Sequence, residues 1–393
     1  MDIKQRYLDT CIAADLKKKM VFLGGPRQVG KTTSALNIGE SNYHNVSYLN
    51  WDDRDDQKNI IARTFGAETD LIIFDELHKY QKWKNYIKGL YDKQQKNFHI
   101  LVTGSARLDL YRRGGDSLMG RYHYYRLHPF SVAELMQTKN RFTIHAALTF
   151  PKQKNGRKNL YTNLLRFSGF PEPLFNQNER THRRWQKERL ERLLREDVRD
   201  VEYIKQISSL EILTQLLPDK VGSVFSLNSL QEDLQVSYNT MARWVDILEN
   251  FYYHFRIRPW TNTKIRSLKK EPKLYLWDWT EVNDHGARLE NLVASHLLKF
   301  VHFLEDTEGY RIELQYLRDR DGREVDFIVT VDNKPWFAVE VKNHTITPSK
   351  HLFYFCERIH IPYLYQVVEK ENIDIMANQV RIMSVDKFLS GLV

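Results

Sequence analysis

The chain has 393 residues, of which 42% are hydrophobic and 28% charged; this is the composition of a folded globular protein and excludes a largely disordered one. Its 59 basic and 50 acidic residues give a net charge of +9, a modest surplus that suits a polyanionic partner but alone predicts only non-specific attraction. Two cysteines, Cys11 and Cys356, cannot build a disulfide framework or a Cys-based zinc site. Residues 1–20 lack an apolar signal core, and no apolar run approaches the roughly 20 residues of a membrane span. We therefore expect a cytoplasmic protein without membrane contact.

The pattern along the chain predicts three regions. Residues 1–140 alternate short apolar runs with polar helical stretches, which is typical of a parallel sheet with crossover helices. Its predicted strands are Met20–Gly24, Val46–Trp51, Leu71–Asp75 and His99–Thr103. Residues 151–220 have a helical pattern, residues 223–260 resemble a helix-turn-helix with a following ribbon, and strands resume at Lys273–Trp279. Polar stretches near residues 151–158 and 269–272 set the predicted domains at 1–150, 151–270 and 271–393.

A complete phosphate-binding loop follows the first predicted strand and precedes a predicted helix. Its residues fit the pattern G-x-x-x-x-G-K-[ST] and are Gly25, Pro26, Arg27, Gln28, Val29, Gly30, Lys31 and Thr32. Such a loop turns backbone N–H groups toward phosphates, and the next helix directs its positive end at the anion. We expect Lys31 to reach the β and γ phosphates of ATP, Thr32 to ligate Mg²⁺ and Thr33 to lie in the nucleotide site.

The third predicted strand ends in two acids. Asp75 is expected to hold the Mg²⁺ water shell, and Glu76 is expected to polarise the attacking water. An apolar run that ends in Asp-Glu is weak evidence by itself, but it lies about 40 residues after a full phosphate loop. A hydrolytic glutamate also argues against a small-molecule kinase.

The fourth predicted strand ends in small hydroxyl residues. Thr103 or Ser105 would lie between Asp75 and the γ-phosphate and sense hydrolysis, although either could be an ordinary loop residue. Four arginines follow, any of which could contact the γ-phosphate of a neighbouring subunit; Arg121 is the preferred candidate over Arg107, Arg112 and Arg113. The simpler interpretation is that each is a solvated surface arginine.

These motifs together resemble a known family. The segments 25–32, 74–79, 102–106 and 117–121, with Gly169-Phe170-Pro171-Glu172, are similar to prokaryotic AAA-type ATPases that carry a nuclease-like C-terminal domain. The resemblance spans nearly the whole chain. It implies ATP rather than GTP as the nucleotide, and it says more about architecture than about physiology.

The middle region has helix-turn-helix proportions, with helices at Asn228–Leu234 and Tyr238–Glu249. Ser237 is a natural N-cap, and apolar residues spaced three or four apart give one buried face. If DNA is the partner, a major groove would be contacted by Tyr238, Asn239, Arg243 and its neighbour Trp244, and a wing at Tyr252–Trp260 would add His254, Arg256 and Arg258. The alternative is a winged helix that only connects domains.

A dense charge stretch runs from Arg180 to Arg199. Its basic and acidic residues alternate at helical spacing, which favours a solvated, salt-bridged helix over one that follows a phosphate backbone.

The C-terminal region predicts two strands, at 324–331 and 336–341, joined by a turn at 332–335. Residues two apart in a strand point to one side, so Glu340 and Lys342 share a face, which Asp326 joins if the strands pair. Glu290, on a helix at Arg288–Phe300, would add a carboxylate. Two or more carboxylates can hold Mg²⁺ or Mn²⁺, and Lys342 can orient the attacking water. The pattern resembles the PD-(D/E)xK nuclease core, with Val325-Asp326 in place of Pro-Asp.

The predicted fold class is therefore α/β: an N-terminal AAA-type P-loop sheet, a helical and winged-helix region, and a restriction-endonuclease-like α/β domain. The predicted function is Mg²⁺-dependent ATP hydrolysis on nucleic acid, with metal-dependent DNA cleavage as an open question. The alternative is a nucleotide-driven switch or scaffold that binds a protein partner or DNA without cleavage. A homo-oligomer is compatible with both.

Overall fold

The computed structural model describes residues 5–66, 68–94, 97–104, 118–152, 157–198, 207–261 and 270–393. Contacts divide the chain into two compact units. The first contains the residues up to His128 together with Asp306–Glu308, and the second contains Pro129–Glu305 and Gly309–Val393.

The first unit is built on a parallel sheet. Among the described residues its strands are β1 (Met20–Gly24), β2 (Val46–Asn50), β3 (Leu71–Asp75), β4 (His99–Thr103) and β5 (Tyr122–Arg126). They lie in the order β2-β3-β4-β1-β5, and each neighbouring pair is parallel. Every residue of β1 and β3 is buried, as expected for central strands covered on both faces. The predicted N-terminal parallel sheet is confirmed.

Helices flank this sheet and complete its core. They are α1 (Asp9–Leu16), α2 (Lys31–Asn42), α3 (Arg54–Ala62) and α4 (Trp83–Gln94), with a short 3₁₀ turn at Leu77–Lys79. The core on one side joins Ile72, Phe74 and Ile100 of the sheet to Ile87 and Leu90 of α4. After β1 the chain passes to the edge strand β2 and returns through β3 and β4 to the side of β1. It then forms β5 on the opposite side of β1. The strand order therefore switches at β1, and the carboxyl end of that strand is where ligands bind in open α/β sheets.

The second unit begins with helices. These are α5 (Val132–Leu135), α6 (Arg157–Phe167), α7 (Pro171–Asn176), α8 (Glu179–Arg192), α9 (Ile207–Leu216), α10 (Leu227–Leu234) and α11 (Tyr238–Asn250), with a π turn at Leu193–Val198 and a 3₁₀ turn at Leu217–Lys220. The two predicted helices of the helix-turn-helix are present as α10 and α11. The hydroxyl of Ser237 accepts the backbone N–H of Thr240 and caps α11 as predicted.

A mixed sheet follows. Its strands are β6 (His254–Pro259), β7 (Lys273–Leu276), β8 (Ile312–Arg318), β9 (Glu324–Val331), β10 (Lys334–Lys342), β11 (Tyr363–Val368), β12 (Asp374–Ala377) and β13 (Val380–Ser384), and its helices are α12 (His285–Glu308), α13 (Lys350–Ile359) and α14 (Val385–Ser390). Among the described residues the strand order is β12-β13-β11-β10-β9-β8-β6-β7. Strand β7 ends at Leu276, three residues before the predicted end at Trp279, and a 3₁₀ turn follows at Trp279–Glu281.

The predicted wing is part of this large sheet. Strand β6 pairs antiparallel with β7 and also pairs parallel with β8 at Arg258–Gln315. From Phe255 onward its side chains alternate, with Phe255, Ile257 and Pro259 buried and the two arginines between them half-buried. An extended strand with one apolar face is stabilised by joining a sheet, so it does not project as a free ribbon.

The charged stretch that begins at Arg180 is mostly the surface of α8. Arg183 and Arg184 are exposed and lie 3.9 Å from Glu179 and 4.0 Å from Glu188, respectively. Arg189 is the exception: it is buried, 3.3 Å from Glu281, and its guanidinium stacks over Phe170. The solvated, salt-bridged helix is therefore found as predicted, with one arginine used in packing. Arg199 lies outside the described residues.

Candidate functional site

At two positions the backbone of the phosphate loop has a conformation that only glycine adopts readily. Gly25 has a φ of 140°, and a Cβ there would lie 2.4 Å from the carbonyl oxygen of Leu127. Gly30 has a φ of 96° and precedes the first residue of α2. These two positions fold the loop over the N-terminus of α2, whose N–H groups and dipole favour an anion.

The lysine of the loop is held in place by the loop itself. The buried ammonium of Lys31 donates hydrogen bonds to the carbonyl oxygens of Gly25, at 3.0 Å, and Pro26, at 2.8 Å. Among the other predicted nucleotide contacts, Pro26 and Val29 are buried, Arg27, Gln28 and Gly30 are half-buried, and Thr33 is exposed. A buried ammonium beside a glycine cradle fits a nucleotide phosphate chain.

Three hydroxyl groups converge on the carboxylate of Asp75. Thr32 donates to its Oδ2 at 2.7 Å, Tyr48 donates to the same oxygen at 2.9 Å, and Thr103 donates to its Oδ1 at 2.5 Å. Burial, followed by the charge of Asp75, raises the pKa of Tyr48 well above its usual range, so the phenol stays protonated and donates. A hydroxyl and a carboxylate in contact are suitable ligands and outer-shell groups for Mg²⁺.

The position of Thr103 follows from the strand order. Strand β4 lies between β3, which ends at Asp75, and β1, which leads into the phosphate loop. In the parallel register Thr103 pairs with Asp75 on one side and with Leu23 on the other. Thr103 therefore lies between Asp75 and the strand that leads into the phosphate loop, and its predicted role beside the γ-phosphate stays a prediction. Ser105 lies outside the described residues, as do Arg107, Arg112 and Arg113.

Glu76 adopts a left-handed backbone conformation with a φ of 55°. Its N–H donates to the carbonyl oxygen of Thr103 at 3.0 Å, which ties the turn to β4. Its Oε2 lies 3.4 Å from Nζ of Lys79 and 3.6 Å from Nε2 of the buried His78. A non-glycine residue in this region costs about 1 kcal/mol or more and is frequent at functional sites. The acid is therefore fixed at the carboxyl end of β3, directly after Asp75.

Arg6 is a component of the loop that the sequence did not single out. Its guanidinium is 5% exposed and donates to the carbonyl oxygen of Val29 at 2.8 Å and to that of His128 at 2.6 Å. Asp9 accepts the N–H of Arg6 at 2.8 Å and the hydroxyl of Ser34, on α2, at 2.6 Å. Arg6 and the first residue of α1 therefore brace the phosphate loop and its helix, respectively. No sequence motif marks them, because the contacts join residues up to 122 positions apart.

Arg121 lies at the other end of the sheet from the phosphate loop. It precedes β5, whose last residue, Arg126, pairs with Gly24 at the carboxyl end of β1. Five residues of strand separate the two ends by about 16 Å. Its Nε donates to Oδ1 of Asp92 at 2.7 Å. Arg121 does not reach the phosphate site of its own subunit, and contact with a neighbouring subunit stays a prediction.

The C-terminal acids lie together as the strand pattern predicted. Strands β9 and β10 are antiparallel, and Oδ2 of Asp326 accepts the N–H of Val341 at 2.8 Å. Nζ of Lys342 lies 2.7 Å from Oε1 of Glu340, so both side chains are on one side of β10. Asp332 and Asn333, both with positive φ, form the turn, and β10 begins at Lys334, two residues before the predicted start.

Lys273 is an unpredicted member of this cluster. The side chain is 1% exposed, and its Nζ lies 2.5 Å from Glu324, 3.3 Å from Glu290 and 3.8 Å from Asp326. The hydroxyl of Tyr275 donates to the same oxygen of Glu290 at 2.7 Å. The carboxylates are thus compensated by ammonium groups of the chain itself.

The mutual repulsion of the acids is reflected in their ionisation. Burial, and then the negative charge of Asp326, raises the pKa of both Glu290 and Glu340. Burial by itself would lower the pKa of Lys273. The negative charges of Glu290, Asp326 and Glu324 outweigh this effect and raise the pKa above the usual value. Among the described residues, no group of three or more His, Cys, Asp and Glu side chains has the arrangement to hold a metal ion.

The predicted nucleic-acid contacts divide into two groups. Tyr238, Asn239 and Arg243 are exposed on α11, whereas Trp244 is buried at 4% exposure and cannot lie on the same surface. The guanidinium of Arg256 is 13% exposed and contacts Glu249 and Asp246, the latter at 2.6 Å. These pairs occupy Arg256 within the chain, so the prediction of an exposed wing arginine is corrected. Arg258 is half-buried, and His254 is fully buried.

Comparison with protein families assigns the N-terminal region. Residues 17–136 match the AAA domain model. This part of the chain is similar to AAA domains. The match contains the phosphate loop, Asp75 and Glu76, and it supports ATPase activity in general. Residues 158–280 and 285–388 match two domains of unknown function, DUF8612 and DUF4143, so the winged-helix and nuclease-like assignments are not established by family.

Relatives align over most of the chain. An uncharacterized protein of Methanocaldococcus jannaschii is 24% identical over 82% of this chain and 75% of its own length. An uncharacterized protein of Haemophilus influenzae is 23% identical over 83% of each.

Solved structures match more loosely. The RuvB Holliday junction branch migration motor of Thermotoga maritima aligns with a TM-score of 0.32 at 18% identity, over 67% of this chain and 93% of that one. The Aeropyrum pernix ORC1 protein, solved in complex with DNA, aligns with a TM-score of 0.32 at 12% identity, over 74% of this chain and 92% of that one. Nothing about function follows from scores this low. Within the described residues, no helix has the length and apolar character needed to cross a membrane.

Proposed function

We propose that the protein hydrolyses ATP with Mg²⁺ at the carboxyl end of its N-terminal sheet and that its nucleotide state controls engagement of nucleic acid. The observation that carries the first part is the convergence of Thr32 and Thr103 on Asp75, beside a glycine-cradled lysine.

The residues present suggest how binding would proceed. The backbone N–H groups of the phosphate loop, which Pro26 lacks, and the N-terminus of α2 would receive the phosphates. Lys31 would exchange two loop carbonyls for phosphate oxygens. The hydroxyl of Thr32 and the carboxylate of Asp75 would hold Mg²⁺, which neutralises charge on the phosphates. Glu76 would orient the attacking water and accept its proton.

The proposed link to nucleic acid depends on the second unit. Tyr238, Asn239 and Arg243 are exposed on the first turns of α11, which is the position that contacts bases in helix-turn-helix proteins. The net charge of +9 supports attraction to a phosphate backbone. A protein partner at the same helix is the alternative, in which case the protein is a nucleotide-driven switch.

DNA cleavage at the C-terminal cluster is the second candidate function. It is favoured by one observation: α12, β8, β9, β10, α13 and β11 follow one another in the chain, with Asp326 on β9 beside Glu340 and Lys342 on β10. Asp326→Ala tests it on single-stranded, duplex and branched DNA with Mg²⁺ or Mn²⁺. Cleavage lost in this variant would establish the nuclease.

The nucleic-acid proposal is tested by DNA-binding anisotropy across a salt series, with ATP bound to a Glu76→Gln variant. We expect steep salt dependence and weaker binding in Arg243→Ala, with the slope of log K against log salt reduced by about 1 if the arginine contacts a phosphate. Arg184→Ala is the matched control, because it also removes one exposed arginine, and Arg184 lies on α8 with an exposed glutamate of the same helix at 4.0 Å. Equal DNA binding by the Glu76→Gln protein and by its Arg243→Ala and Arg184→Ala versions, with or without ATP, would favour the switch that binds a protein partner.

A further inference from the structure

The C-terminal cluster contains a buried cation that belongs to the chain. Lys273 projects from β7 with 1% exposure, and its ammonium lies within 4 Å of carboxylate oxygens from α12 and β9. The three acids are Glu290, Glu324 and Asp326. An ammonium has three donors and no acceptor; Glu324 and Glu290 lie within hydrogen-bond distance of it, at 2.5 and 3.3 Å, and Asp326 adds a third negative charge at 3.8 Å.

One oxygen of each carboxylate that a metal would need is already engaged. Oε1 of Glu290 faces both Lys273 and the hydroxyl of Tyr275, and Oδ2 of Asp326 accepts the N–H of Val341. Oε1 of Glu340 is paired with Lys342. Mg²⁺ requires near-octahedral oxygen ligands at 2.0–2.1 Å. A divalent ion between Glu290 and Asp326 would therefore lie against the Lys273 ammonium, with like charges in contact in a buried site.

Lys273 cannot withdraw easily. Its strand pairs with β6, and an isolated bridge joins Lys273 to Val224. Gly222, whose N–H donates to the carbonyl oxygen of Leu274, packs against Glu290 so closely that a Cβ there would lie 3.2 Å from the carboxylate. The segment at 221–224 thus covers the cluster next to the lysine.

We propose that the ammonium of Lys273 is the resident cation of this cluster and excludes a divalent metal ion from it. The residues therefore do not fit a metal-dependent nuclease centre, although three of them match its sequence pattern. The domain would then bind its ligand without cutting it, in contrast to the second candidate function, DNA cleavage. This inference does not depend on ATP hydrolysis by the first unit.

The test uses Mn²⁺ as the probe and the full-length protein without nucleotide. Bound Mn²⁺ is measured by electron paramagnetic resonance in wild type, Asp326→Asn and Lys273→Met, in which methionine keeps the length of the side chain but removes its charge. We expect wild type and Asp326→Asn to bind equally little Mn²⁺. We expect Lys273→Met to gain one site at least tenfold tighter, and Lys273→Arg to gain none.

Two results would overturn the proposal. One is a Mn²⁺ site in wild type that Asp326→Asn removes; the other is a folded Lys273→Met protein without the gained site. Lys273→Met could fail to fold because the acids of the cluster lose their ammonium partner. In that case the comparison of wild type with Asp326→Asn still shows whether wild type has a Mn²⁺ site that requires Asp326. Rescue of the Lys273→Met fold by Mn²⁺, followed as a rise in melting temperature that wild type does not show, would support the proposal. ATP hydrolysis, measured in parallel, is expected to be the same in Lys273→Arg and wild type.

Discussion

Replacing Arg6 with methionine is expected to weaken ATP binding, although Arg6 is not part of the phosphate-loop motif. The change removes two charge-assisted hydrogen bonds, at 2.8 Å to Val29 and 2.6 Å to His128, from a side chain that is 5% exposed. Methionine fills similar space but has no donor, so both carbonyl oxygens lose their buried partner.

The magnitude follows from the two bonds. A hydrogen bond from a charged donor contributes about 1.5–3 kcal/mol. The bond to His128 lies outside the loop and is expected to affect the free energy of unfolding. The bond to Val29 fixes the loop itself, so its loss is expected to raise the Kd for ATP by about tenfold, since 1.4 kcal/mol corresponds to that factor.

The assay is titration calorimetry with ATP and Mg²⁺ in a Glu76→Gln background, so that the nucleotide is not consumed. Lys18→Ala is the matched control, because this lysine belongs to the same N-terminal segment and its side chain is 71% exposed. A folded Arg6→Met protein that binds ATP within twofold of the control would refute the bracing role of Arg6.

Further predictions concern one site residue and two buried polar contacts. Tyr48→Phe removes one donor from Asp75 and is expected to lower kcat/KM for ATP by about tenfold, for the loss of about 1.5 kcal/mol. The control is Tyr43→Phe, which should keep the wild-type kcat/KM in steady-state assays, because the Tyr43 hydroxyl has no hydrogen-bond partner among the described residues. In His296, Nδ1 donates to the carbonyl oxygen of Leu292 and Nε2 accepts the N–H of Val132, and burial lowers its pKa to about 3. The folded protein therefore favours the neutral imidazole. The free energy of unfolding of wild type, measured by urea titration, should fall by about 2 kcal/mol between pH 6.5 and 5. An equal fall in His296→Gln would contradict this. Lys299→Met removes the ammonium that lies 2.5 Å from the buried carboxylate of Glu134 and should cost about 3–5 kcal/mol in the same assay. Lys299→Met combined with Glu134→Leu should recover most of this loss.

The parts of the site that were predicted are local in sequence. The phosphate loop is eight consecutive residues, and its glycines, lysine and threonine have the arrangement that the motif requires. Asp75 and Thr103 were predicted because each ends an apolar run, and parallel strands bring their carboxyl ends to one edge. The pairing of β9 with β10 followed from alternation and a turn.

The parts that were not predicted depend on tertiary approach. Tyr48 reaches Asp75 because β2 pairs with β3, and a tyrosine in a short strand has no distinguishing pattern. Arg6 and Lys273 contact groups that are distant in sequence, and an isolated basic residue usually indicates a surface position. Arg256 shows a related error, because its acidic partners lie on α11, the helix that directly precedes β6, and the residue types alone do not show that they face it. Charge alone does not tell a buried pair from an exposed ligand contact.

The most direct test of the central claim is hydrolysis by Glu76→Gln compared with wild type, with ATP binding measured on the same samples. The account predicts Mg²⁺-dependent hydrolysis by wild type. It predicts that Glu76→Gln binds ATP but hydrolyses it at a rate lower by about 100-fold or more, for the loss of a general base. Hydrolysis at the wild-type rate by Glu76→Gln, or ATP binding by wild type without any hydrolysis, would contradict it.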